Sequence, residues 1–173
     1  FSFGFVKSLD YYRVLRNEYK KREKGLVVGI RSEKEIEDFL LSLDFRRYVC
    51  FKNIEFSVGD RVFDVDFLVF DKEKNECFLI EVKGYSGKIF VDEKGCIYVN
   101  GIRKNCHSFR LVSMVFKYLK KNPDFFVSNF GVSRVYIHSV FVFPSSFSVS
   151  FSDKIKGIKF YNKTDFFKLF ANR

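Results

Sequence analysis

The chain has 173 residues, 47% of them apolar, which excludes a disordered segment and suffices for one domain whose core needs no disulfides. Its 31 Lys and Arg against 21 Asp and Glu leave a formal charge of +10. A surplus of that size favours a polyanionic partner, nucleic acid before an anionic membrane surface.

Residues 8–24 read as an amphipathic helix with Tyr11, Leu15 and Tyr19 on one face and the basic KKREKG at its end. A second helix opens at Ser32, where Ser32 and Glu35 have the spacing of a capping box. Ile36, Phe39, Leu40 and Leu43 then form its core-facing stripe. Glu33 lies on or near that inward face, although an acidic residue in a first turn is commonly only a partner of the helix dipole.

From residue 48 the period changes to that of strands. YVCFKNIEFSV is followed by a GDR turn and by VFDVDFLVF, whose alternation sets Asp64, Asp66 and Leu68 on one face and Phe63, Val65, Phe67 and Val69 on the other. DKEKNE is a polar hairpin turn into CFLIEVK, and residues 86–100 read as a hairpin turning at EKG. A helix follows from about Asn105 to Lys121 and stops at Asn122-Pro123. VYIHSVFVF is a buried strand ended by Pro144, and a short strand around IKGIKFY precedes a terminal helix capped by Thr164. The order implies one α/β domain with a mixed sheet.

The cysteines Cys50, Cys77, Cys96 and Cys106 have neither C-x-x-C spacing nor a paired His, so reduced thiols are expected rather than structural zinc. A cytoplasmic location follows, with no apolar run near the roughly 20 residues of a bilayer span. The opening FSFGFVKSL leaves attachment through an upstream anchor as an open alternative.

The chemistry concentrates in FLIEVKGYSGKI, residues 78–89. Glu81 and Lys83 are two apart in a strand and project from one face, with Ile80 and Val82 on the other. Asp66 and Glu81 lie on strands joined by a short turn and are expected to pair antiparallel. Two converging carboxylates repel unless a cation lies between them, and Mg²⁺ takes one or two carboxylates with water and phosphate oxygens. Lys83 would orient water or stabilise charge on phosphate.

Glu-x-Lys alone is a weak signal. An Asp, a hairpin and then an apolar strand ending Glu-x-Lys-Gly is more specific, and this arrangement resembles the PD-(D/E)xK nuclease core and, within it, the NERD (nuclease-related) domain. SEKEIEDFL at 32–40 is similar to the family's G-E-x-x-V-x-x-x-L helix and carries Glu33 onto its helical acidic position. DVDFLV at 64–69 resembles the strand that supplies the family's Asp, here Asp66. IEVKGYSGKI at 80–89 is similar to I-E-V-K-x-x-x-G-x-I and places Glu81 and Lys83. Asp64 stands where the family usually has Gln and Ser32 where it has Gly, and the family's N-P-x-x-Q is here NCHSF, residues 105–109.

The resemblance implies an α/β, restriction-endonuclease-like core, a central mixed β-sheet flanked by helices, over residues 29–173, with residues 1–28 as an N-terminal helix and lead-in. It implies a nuclease with Glu33, Asp66, Glu81 and Lys83 as catalytic residues, Mg²⁺ or Mn²⁺ on Asp66 and Glu81, and no small-molecule cofactor. DNA is the expected partner, with RNA as the alternative, and Lys88, Arg103, Lys104 and Arg110 flank the site as a phosphate track. Tyr85 and Tyr98 are either base-stacking residues or packed hairpin tyrosines. The altered NCHSF segment motivates a second reading, a module that binds nucleic acid without cutting it. A membrane-surface or protein-interaction domain is the third.

Overall fold

The computed structural model describes residues 24–58, 61–85, 87–104, 107–143, 149–151 and 157–171. The helix expected over residues 8–24 therefore lies outside the described residues, apart from Lys24. Helix α1 (Lys24–Leu41) precedes strands β1 (Tyr48–Val58), β2 (Arg61–Asp71) and β3 (Glu76–Val82). Three short strands follow, β4 (Ile89–Val91), β5 (Ile97–Val99) and β6 (Ile102–Arg103). Helices α2 (His107–Lys121) and α3 (Asp124–Phe130) lead to β7 (Tyr136–Phe143), β8 (Val149–Phe151), β9 (Ile158–Asn162) and helix α4 (Lys163–Ala171).

β1, β2 and β3 pair in succession as antiparallel neighbours, with β2 and β3 joined by the short polar turn of residues 72–75. The helices α2 and α3 then carry the chain over to β7, which pairs parallel with β3, and β9 pairs parallel with β7. The result is a five-stranded mixed sheet in the order β1-β2-β3-β7-β9. On one face of it α1 and α4 bury Ile36, Leu40, Phe166 and Phe170 against Phe67, Phe78, Ile80 and Val140. On the other face α2 and α3 bury Val112, Val115, Leu119 and Phe126 against Phe70, Leu79, Phe141 and Phe143. A strand covered on both faces reads as a continuous apolar run, which is what CFLI in β3 does.

A second, four-stranded sheet in the order β6-β5-β4-β8 packs its inner residues Ile89, Val91, Ile97 and Val99 into the second of these cores. The expected EKG hairpin is its β4–β5 turn, closed by the Gly95 N–H donating to the Asp92 carbonyl. The parallel pairing of β4 with β8 joins segments some sixty residues apart, and no local pattern announces it.

Three expectations need correction, and one further helix follows the expected stop at Asn122-Pro123. Helix α1 starts at Lys24, so Ser32 and Glu35 are interior. The Ser32 N–H already lies within the i→i−4 ladder, and no free donors remain for a capping box there. Glu35 instead takes Lys163 at 3.0 Å. The cap of α4 is Asn162, not Thr164: its Oδ1 accepts the Asp165 N–H at 2.9 Å while its Nδ2 donates to the Asp165 carboxylate at 2.8 Å. After Pro123 the chain makes the further short helix α3, ended by Gly131 at φ 70°. Finally, the face alternation of β2 does not run through, with consequences for the site.

Candidate active site

β3 delivers the two charged groups that its sequence promised. The Lys83 ammonium donates to the Glu81 carboxylate at 2.5 Å, with 21% and 9% of the two side chains exposed. Both continue the row of Cys77 and Leu79, on the α2 side of the sheet. Burial alone would lower the Lys83 pKa, but the charges of Glu81 and Asp66 and the hydrogen bond donated to Glu81 outweigh it and raise it. Lys83 is therefore a fixed cation at neutral pH.

Asp66 reaches this point through a break in two strands. In β1, Val49 and Phe51 pack on the α2 side and so do Ile54 and Phe56, so the alternation shifts by one between them. In β2, Phe63 and Val65 share that side with Leu68 and Phe70, while Phe67 and Val69 face α1. The predicted grouping of Phe63 and Val65 with Phe67 and Val69 is thus overturned. The β1–β2 register is unchanged across the break, from Lys52 opposite Phe67 to Ile54 opposite Val65. Asn53 and Asp66 fall between those pairs, and Asn53 adopts φ 51°, a left-handed conformation that Asn tolerates better than most residues.

The β2–β3 ladder ends at the same place, at Phe67 and Ile80. Beyond it the strands part: Lys83 N–H turns to the β7 carbonyl of Val142, and Val82 N–H donates to the Asp66 carboxylate at 2.7 Å. Burial, then the charge of Glu81, pushes the Asp66 carboxyl up to about 8, against the lowering effects of Lys83 and the Val82 N–H.

Glu33 comes to this opening from α1. Burial raises its pKa, and the next largest influences are Lys52, Lys83 and Glu81. Lys52 projects from β1 toward α1, where its ammonium holds Glu37 at 2.9 Å and lies 5.9 Å from the Phe67 ring centre. Sequence reasoning passed over Lys52 and Glu37. The available signal was Lys52 as a lone cation in an apolar strand run, joined to a helix by charge complementarity.

The flanking residues divide. Lys88 and Arg103 are exposed on the small sheet, Lys104 is half-buried, and the Arg110 side chain lies outside the described residues, as do Asn105 and Cys106. Tyr85 packs against the core with its ring 6.5 Å from that of Phe143, which makes it the packed tyrosine of the two alternatives. Gly87, at φ +119°, lies between β3 and the small sheet, and a Cβ there would lie 2.5 Å from Asn100 Oδ1. Asn100 is fixed by the Lys88 N–H on its Oδ1 at 2.9 Å, which ties β5 to the residues just past Lys83. Cys50, Cys77 and Cys96 are free thiols, and burial pushes Cys50 up to about 11. Among the described residues no helix is long and apolar enough to cross a membrane.

A mixed sheet flanked by helices, with two strands parting around an Asp, a Glu and a Lys, is a nuclease-like core. The family model of the nuclease-related domain matches residues 28–144, most of the chain, and the protein belongs to that family. No curated protein and no solved structure matches it.

The donor set fits a hard divalent cation. Asp66 and Glu81 offer carboxylate oxygens in a partly dry site, and the Asp66 pKa, raised by burial first and by the charge of Glu81 second, is of the kind a bound cation would lower. Among the described residues no three acidic, His or Cys side chains converge on one point, so a shell here would draw two carboxylates from the protein and the rest from water and substrate.

Proposed function

We propose that the protein hydrolyses phosphodiester bonds of DNA in a reaction dependent on Mg²⁺ or Mn²⁺. The observation that carries this reading is the meeting of Asp66, Glu81 and Lys83 where β2 and β3 part, with Glu33 acting on them from α1. Asp66 and Glu81 would hold the ion, whose role when bound is to polarise the phosphoryl group and acidify water. Lys83, kept protonated by its two carboxylate neighbours, supplies positive charge for the phosphate as the bond breaks. It is a poor proton acceptor for the same reason. Glu33, which binds a proton more tightly than an ordinary carboxylate, is the group suited to take one from the attacking water.

A second reading, binding without cleavage, draws on the contact of Glu81 with Lys83, which occupies one carboxylate oxygen, and on the NCHSF segment in place of the family's usual sequence. Incubation with supercoiled plasmid separates the two. Nicking with Mg²⁺ or Mn²⁺ that stops in EDTA supports hydrolysis. A purified chain that retards the plasmid on a gel without nicking it under any of these conditions supports the binding module.

A further inference from the structure

The small sheet has two faces with different tasks. Its inner row, Ile89, Val91, Ile97 and Val99, is buried in the core. Residues at alternate positions point the other way. There Phe90 of β4 lies opposite Tyr98 of β5, and Tyr98 lies opposite Arg103 of β6, so two aromatic rings and a guanidinium form a row across three strands. Phe90 is 44% exposed although it is a large apolar residue on a solvent-facing sheet. The Phe90 and Tyr98 ring centres are 6.1 Å apart at 43°. Lys88, two residues before Phe90 and just ahead of β4, is exposed.

The exposed charges that flank the two rings, Lys88 and Arg103, are cationic. Arg103 donates across to the Cys96 sulfur at 3.2 Å. The carboxylate in the row, Asp92, is occupied by the tip of the hairpin: it accepts the N–H of Lys94 at 2.9 Å and of Cys96 at 2.8 Å, and the Tyr98 hydroxyl at 3.3 Å. That last bond holds the Tyr98 ring in place. Glu93 is exposed at the turn itself.

We infer that this outer face is a stacking platform for single-stranded nucleic acid, with bases on Phe90 and Tyr98 and phosphates on Lys88 and Arg103. Aromatic faces accept any base, and flanking cations track the backbone, which is the chemistry of sheets that bind single strands without sequence preference. A duplex, whose bases are already stacked, has no use for exposed rings. The platform is also joined to the active site. Lys88 is five positions beyond Lys83, a reach of at most about 18 Å, which a strand of roughly five nucleotides covers. Gly87 and Asn100 fix that junction. A strand laid on the platform therefore leads to the opening between β2 and β3. The inference rests on the proposal that the protein acts on nucleic acid, and it narrows the substrate to one with a single-stranded stretch.

The test is fluorescence anisotropy with labelled oligo(dT) and oligo(rU) of about 15 nucleotides, near the upper site size for such a sheet. The Glu81→Gln chain in EDTA is used, so that no cleavage intervenes. Binding to one or both strands, weaker for the matching duplex, is expected, and Phe90→Ala should weaken it about 5- to 150-fold. Tyr98→Phe, which keeps the ring but loses its bond to Asp92, should weaken binding less than Phe90→Ala does, and Arg103→Gln should flatten the salt dependence. Unaltered affinity in Phe90→Ala, or no binding of either strand, overturns the inference. So does a Phe90→Ala chain that sediments differently while binding strands normally, since the face would then be a contact between copies. If the native chain cuts plasmid but strand binding ignores Phe90, the platform falls and hydrolysis stands. Binding that depends on Phe90 without any cleavage gives the reverse.

Discussion

The Asp66 carboxylate accepts the backbone N–H of Val82 at 2.7 Å, just past the last rung of the β2–β3 ladder. That one bond explains why the strands can part without leaving the Val82 donor unpaired, and it fixes an acidic side chain beside Glu81. A side chain thus does the work of a carbonyl at the point where the sheet opens into a site.

Asp66→Asn keeps an oxygen for the Val82 N–H and removes the charge that burial and Glu81 oppose. Its melting temperature at pH 8 should equal or exceed that of the native chain, measured without divalent ions. Addition of Mg²⁺ should raise the melting temperature of the native protein by mass action and leave the variant unmoved. Equal Mg²⁺ shifts in both would remove Asp66 from the metal site.

Asp71 anchors the β2–β3 hairpin and is completely buried. Arg47 binds it twice, at 3.1 and 2.8 Å, and it also accepts the N–H groups of Glu73 and Lys74. Although burial acts to raise its pKa, the Arg47 and backbone hydrogen bonds prevail and lower it. A depressed carboxyl contributes stability above its unfolded value, about 3.9, and loses it as pH falls through the folded value. Urea titrations of Asp71→Asn should show a loss of about 3 kcal/mol at pH 7. The difference from the native chain should shrink below pH 4.

Gly87→Ala should cost about 1–3 kcal/mol, because φ is +119° and the new methyl would overlap Asn100 Oδ1. Denaturant midpoints of Gly87→Ala with and without Asn100→Ala divide the two causes. Removing the Asn100 side chain relieves only the overlap, so the double variant should recover part of the loss beyond the effect of Asn100→Ala alone.

At the other end of the chain, Asn162→Ala should lower stability by about 1 kcal/mol as a lost helix cap. Thr164→Ala should change it by less than half of that. The reverse order, by thermal unfolding, would restore the cap to Thr164.

The strand β3 is well legible in the sequence because period two and a continuous apolar run are local signals. Glu81 and Lys83 share a face for that reason alone. Asp66 is legible as a neighbour of Glu81 from the short turn that pairs their two strands, whereas its face is not, since strict alternation along VFDVDFLVF does not survive the shift at Asn53 and Asp66. A trace of that shift is visible in the change from alternating RVFDVD to continuous FLVF, where a strand exposed on one face becomes covered on both. Ser32 and Glu35 misled because capping spacing is also common inside helices, and only the position of the true start at Lys24 distinguishes the two. Lys52, Glu37 and the β4–β8 pairing depend on tertiary contacts between distant segments, for which one sequence holds no local pattern.

The central claim is that hydrolysis is performed at the β2–β3 opening, and Glu81→Gln tests it most directly. Gln keeps the length and shape of Glu while withdrawing the negative charge from the proposed metal and from Lys83. Plasmid nicking in Mg²⁺ should fall by at least about 100-fold in the variant, with circular dichroism unchanged. Equal nicking by both proteins would contradict the account and place the activity elsewhere.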